Sequence, residues 1–186
     1  AASIHRWETW RGGAPGTPVT YYPKDTGLPL PAKRKLVLQV HYNLQQGPLP
    51  DRTKIALQLV DSVPKPAKVE LLADFALYLP PGQKDLKATT STGYGKSVSV
   101  LGMYPHMHQL GRKLRVDRTS TGKTSCMIDV PDWDFHWQQF YFYAKPVEVS
   151  AGDNLTLTCN FNTVGNDKTV TWGEGSADEM CLNFLY

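Results

Sequence analysis

Two histidines, His106 and His108, are separated by a single residue in the run Tyr104-Pro-His-Met-His-Gln-Leu-Gly111. On a β-strand, side chains at i and i+2 leave the same face with Cα atoms roughly 6.5–7 Å apart, so both imidazoles can reach one metal ion. Towards the C-terminus, Met180 heads another apolar segment, Glu179-Met-Cys-Leu-Asn-Phe-Leu-Tyr186. A thioether added to two imidazoles is a soft, mixed donor set that favours copper as Cu(I). The competing reading of each residue is ordinary: histidines are more often surface or core groups than ligands, and methionines usually fill gaps in a core. Met107 faces away from both histidines on a regular strand and is expected in the core with Met103 and Met127.

Short strands must position these groups. Alternating or brief apolar runs occur at 35–43, 55–60, 69–79, 97–108, 113–118, 140–149, 154–161 and 179–186. Turn signals lie between them, at Pro80-Pro-Gly82, Thr92-Gly-Tyr-Gly95, Thr119-Ser-Thr-Gly122 and Ala151-Gly-Asp-Asn154. No segment carries an apolar period of 3.6. The pattern predicts an all-β fold, an antiparallel β-sandwich of the jelly-roll kind. Residues 11–34 differ, since Gly12, Gly13, Pro15, Gly16, Pro18, Pro23, Gly27, Pro29 and Pro31 make that stretch an extended connector.

Four segments, in order, carry a family likeness: Tyr21-Tyr-Pro-Lys-Asp-Thr-Gly-Leu28, Leu36-Val-Leu-Gln-Val-His-Tyr-Asn43, His106-Met-His-Gln-Leu-Gly111 and Glu179-Met-Cys-Leu-Asn183. Together they resemble the catalytic half of the type II, ascorbate-dependent copper monooxygenases, the group that includes dopamine β-monooxygenase and peptidylglycine α-hydroxylating monooxygenase. The resemblance implies the same sandwich fold and a catalytic copper held by His106, His108 and Met180. It also implies C–H hydroxylation with dioxygen as co-substrate and ascorbate as reductant.

In the resembled enzymes two copper domains lie in tandem. The resemblance therefore divides this chain into 1–45, a connector and final strand of an otherwise missing first domain, and 46–186, the copper-binding sandwich. His41 matches one ligand of the second, electron-supplying copper, whose remaining ligands are an adjacent His-His pair. No such pair occurs in the 186 residues, so His41 is at most a remnant of that site. A missing N-terminal copper domain or a second chain is the expected partner. His136, within Trp133-Asp-Phe-His-Trp137, is expected to pack among aromatic rings.

Of the three cysteines, Cys181 should point away from the metal because it follows Met180 directly, and the family pattern pairs it with Cys159. Cys126 is then left over. A disulfide in a copper protein places the chain in an oxidising space: secreted, periplasmic or in the secretory-pathway lumen. The peptide-amidating branch has an arginine two residues before the first histidine, and Asn and Tyr at the first and third positions after Met-Cys. Here those positions are Tyr104, Leu182 and Phe184. A buried carboxylate without its cation is costly, so a small non-peptide substrate is expected.

Composition narrows the partners further. The net charge of +3 is spread along the chain, with no basic block longer than Lys33-Arg-Lys35, which gives no case for nucleic acid or a charged membrane surface. No apolar run approaches the ~18 residues of a membrane span. Two other readings stay open: a non-catalytic copper(I)-binding or carrier protein, and a metal-free sandwich serving as an interaction module.

Overall fold

The computed structural model describes residues 19–186 apart from positions 34, 39, 41, 43–46, 49 and 176. Twelve strands follow in order: β1 Thr26–Gly27, β2 Lys65–Pro66, β3 Glu70–Ala73, β4 Tyr78–Leu79, β5 Leu86–Gly93, β6 Val98–His106, β7 Gly111–Ser120, β8 Lys123–Val130, β9 Tyr141–Val149, β10 Asn154–Phe161, β11 Val170–Thr171 and β12 Leu182–Leu185. Two four-stranded antiparallel sheets, β5-β10-β7-β8 and β3-β12-β6-β9, form the sandwich. The pairs β11-β4 and β1-β2 are small additions.

The core follows from period-two patterning. On β10, Leu155, Leu157, Cys159 and Phe161 are fully buried, while Thr156, Thr158 and Asn160 lie on the outer face. Leu114 and Val116 of β7 join them, and Leu72, Val100, Met103 and Leu185 come from the opposite sheet. A disulfide between Cys159 and Cys181 spans the two layers, with Cα atoms 5.9 Å apart. Cys126 is a free, exposed thiol. Met103 and Met127, on β6 and β8, are buried as expected, and so is Met107, although β6 ends one residue before it.

Two expectations change. The runs 35–43 and 55–60 read as strands, yet their described residues belong to none, and Leu36, Leu38, Tyr42, Ile55, Leu57 and Leu59 are exposed. A strand is stable only when its backbone edge is paired, and no partner for these runs lies among the described residues. Conversely, β5 and β8 form from segments too polar to announce themselves, because each is the outermost strand of its sheet and leaves most of its side chains in water.

Two glycines shape the site's surroundings by close approach. A Cβ on Gly102 would meet Phe142 Cδ1 at 2.6 Å and the Tyr141 carbonyl at 2.9 Å. The absent side chain lets Phe142 lie against β6, where the β6–β9 register shifts between Val100 and Gly102. A Cβ on Gly111 would come within 2.9 Å of Met107 and Trp133, so only glycine lets β7 start hard against the turn that carries His108.

Candidate metal centre

His106 is the last residue of β6, and His108 sits two residues on, in the turn leading to β7. The strand therefore ends between them, yet their rings remain adjacent: the centroids are 5.2 Å apart and the planes stand at 88°. Met180 lies two residues ahead of β12, and β12 pairs with β6 so that Leu182 opposes His106. A single oxygen, Oε1 of Glu179, accepts the backbone N–H groups of both His108 and Met180, the latter at 2.9 Å. The backbones of these two residues are thus brought together although His108 lies 71 positions from Glu179.

Each imidazole is held in one tautomer. Gln138 Nε2 donates to the Phe135 carbonyl at 2.6 Å, which leaves Gln138 Oε1 to accept from His106 Nδ1 at 2.5 Å. His108 Nδ1 lies 3.0 Å from the Asp178 carbonyl, which can only accept. With Nδ1 donating in both rings, Nε2 is the nitrogen left to face a metal, the arrangement usual for metal-ligating histidines. The turn is further secured by Trp133 Nε1, which donates to the His108 carbonyl at 3.1 Å, and by Phe135, whose ring meets His108 edge-on at 6.2 Å. Sequence reasoning missed Gln138, because its side chain meets His106 across 32 positions and no local motif marks it.

Among the described residues, no three His, Cys, Asp or Glu side chains converge on a point where a metal could sit. The His pair therefore lacks a third hard ligand, and the thioether of half-buried Met180 is the donor that chemistry would add. The residues present fit copper. Cys181, one position further, turns into the core and is committed to its disulfide, so its sulfur is not available as a ligand. His136 is not packed as expected: its side chain is 82% exposed, its ring stands at 78° to that of Phe135 with centroids 5.5 Å apart, and its Nδ1 lies 3.4 Å from Asp134. His41 lies outside the described residues.

Beside His106, the outer face of β3-β12-β6-β9 is aromatic. Tyr104 sits against Phe140 at 5.2 Å and Phe184 at 6.1 Å, and Phe140 stacks on Phe142 at 5.5 Å. Tyr186 and Tyr22 extend the face, stacked at 4.8 Å, with the Tyr186 hydroxyl donating to Thr26 Oγ1 at 3.0 Å. Register places Leu182 opposite His106 and Phe184 opposite Tyr104, so the wall flanking the histidines is apolar.

Comparison with known proteins places the fold in a family. Residues 69–186 match the model of a family described as copper type II ascorbate-dependent monooxygenase, C-terminal domain. Tyramine beta-hydroxylase of Caenorhabditis briggsae is 27% identical over 89% of this chain and 31% of its own length. Peptidyl-glycine alpha-amidating monooxygenase A of Xenopus laevis is 29% identical over 92% of this chain and 19% of its own, and dopamine beta-hydroxylase of Rattus norvegicus 26% over 92% and 30%. The chain spans about a third or less of the length of these relatives. With the family's model covering well over half of its residues, the chain belongs to the copper type II ascorbate-dependent monooxygenases and carries their C-terminal domain.

Proposed function

We propose that this domain binds one copper through Nε2 of His106, Nε2 of His108 and the sulfur of Met180, and serves as the oxygen-activating half of a C–H hydroxylase that draws electrons from ascorbate. The observation that carries the reading is the orientation of both rings, each held by an oxygen acceptor at Nδ1, beside the segment that carries Met180 into β12. When copper is bound, the chemistry it supplies is activation of dioxygen for cleavage of a substrate C–H bond. The protein's part is positioning. Gln138 and the Asp178 carbonyl orient the rings, Cys159–Cys181 anchors the segment presenting Met180, and the Tyr104, Phe140 and Phe184 wall gives a substrate an apolar surface close to His106.

The same wall supports a small, neutral or aromatic substrate over a peptide carboxylate, since Tyr104, Leu182 and Phe184 offer no cation for such a group to pair with. The disulfide suits an oxidising compartment, secreted, periplasmic or secretory. Ligands for only one copper lie among the described residues, so the second electron of a turnover would come from a further copper domain or a partner chain. That one-copper content also favours a second reading, a copper(I) carrier that never turns over. Metal analysis followed by oxygen consumption with ascorbate separates the readings. We expect one copper per chain and slow, substrate-dependent hydroxylation of a phenethylamine-like amine, with none of a glycine-extended peptide. Copper binding with no substrate-dependent oxygen uptake, even with an added electron-supplying domain, would leave the carrier reading in place, and absence of copper would remove both.

A further inference from the structure

Glu179 is a carboxylate with no exposed surface, and among the described residues it forms no ion pair with Lys or Arg. Burial pushes its carboxyl above the usual range, while the backbone amides around it and the neighbouring His108 pull the other way. Those amides are a selective set. Oε1 accepts from the backbone N–H of His108 and of Met180, and Oε2 accepts from Leu110 N–H at 2.8 Å. Two of the three donors belong to the residues assigned above as metal ligands, and one of them, His108, lies 71 residues from Glu179. The Glu179 backbone is itself fastened, its N–H donating to the Thr171 carbonyl at 3.2 Å and its carbonyl accepting from Gly173 N–H at 3.3 Å.

We infer that Glu179 is a positioning residue, a buried carboxylate clip that sets the separation of His108 from Met180 and so assembles the ligand set; the inference rests on the copper reading above. Only a carboxylate can do this with one side chain, because both of its oxygens are acceptors with no hydrogen of their own. A glutamine there would turn one oxygen into an NH₂ and set donor against donor, at Leu110 N–H or at the pair shared by His108 and Met180. The Asp178 carbonyl, one residue earlier, fixes the His108 ring, so the stretch 178–180 reaches His108 at both its backbone and its imidazole.

The test uses the full chain with Glu179→Gln and, should that variant fold poorly, Glu179→Asp, which keeps the charge but is one methylene shorter. In metal-free protein, the amide protons of His108 and Leu110 should resonate downfield and exchange slowly, and both should move upfield in either variant. Unmoved resonances would overturn the clip whatever the metal result. Cu(I) alone is then titrated against a chromophoric competitor, and the variants should bind about 10- to 100-fold more weakly. A lowered melting temperature with Cu(I) affinity unchanged would reduce Glu179 to a structural carboxylate and overturn the positioning role. Failure of the wild-type chain itself to take Cu(I) would defeat the copper reading, while the amide measurement still decides the clip.

Discussion

Sheet β5-β10-β7-β8 and sheet β3-β12-β6-β9 share one core and one disulfide, but they treat their outer faces differently. On the first, β10 alternates strictly, and the outer face is a polar ladder: Thr156 meets Ser91 at 2.8 Å, Thr119 meets Thr124 at 3.0 Å, and Arg115 joins Asp117 and Asp129, each at 2.8 Å. On the second, the central strands β6 and β12 are buried on both faces: Met103 and Leu185 look inward, while Tyr104 and Leu182 are covered on the other side. A sheet with one wet face is a scaffold, since its polar side needs nothing but water. Strands covered on both faces can exclude water from a group at their end, and it is at that end that the rings of His106 and His108 lie, with the Met180 backbone tied to that of His108 through Glu179.

If that contrast is sound, equal surgery on the two outer faces should have unequal effects. Tyr104→Ala removes a buried ring wedged between Phe140 and Phe184 and should cost about 3–5 kcal/mol of unfolding free energy. Denaturant melts of the variant read this directly, and a cost under about 1 kcal/mol would mean that the aromatic face is not packed. Next, Cys159→Ala with Cys181→Ala, which leaves the sheets unstapled, should cost about 2–4 kcal/mol and also weaken Cu(I) binding, because the segment presenting Met180 loses its anchor. Peptide mapping without reduction should recover the Cys159–Cys181 pair, and a Cys126-linked peptide in its place would show the pairing wrong.

Gln138→Ala sharpens the comparison at the functional end. It frees the Nδ1 side of His106 and should lower Cu(I) affinity about 10- to 100-fold with little change in melting temperature. Competition titration tests it, and unchanged affinity would remove Gln138 from the account. The smallest effect is expected on the scaffold face: Thr156→Ala forfeits one exposed hydroxyl contact to Ser91 and should shift stability by under about 1 kcal/mol without altering copper affinity. A larger loss in melts of that variant would mean that the polar ladder does more than face water.

Legibility in the sequence follows the same divide. β10 could be read from alternation alone, because one face is apolar at every second residue from Leu155 to Phe161. β5 and β8 could not, since an outermost strand with mostly solvated side chains has the composition of a loop. The opposite error arose at 35–43 and 55–60, where strand-like alternation lacks a pairing partner among the described residues, and register with another strand is not a local property. The convergence of His106 and His108 was legible from their spacing, although the strand stops at His106 and the turn, held by Trp133 and Gly111, completes the approach. Gln138 and Glu179 were illegible because what identifies them is a hydrogen bond to a residue 32 or 71 positions away.

The central claim is that His106, His108 and Met180 form one copper site, and X-ray absorption on the reduced, copper-loaded chain tests it most directly. The account predicts two imidazole scatterers and one sulfur in the wild-type protein, with the sulfur gone and both imidazoles kept in Met180→Ala. A sulfur contribution that survives the substitution, or a wild-type spectrum with no sulfur at all, would contradict it.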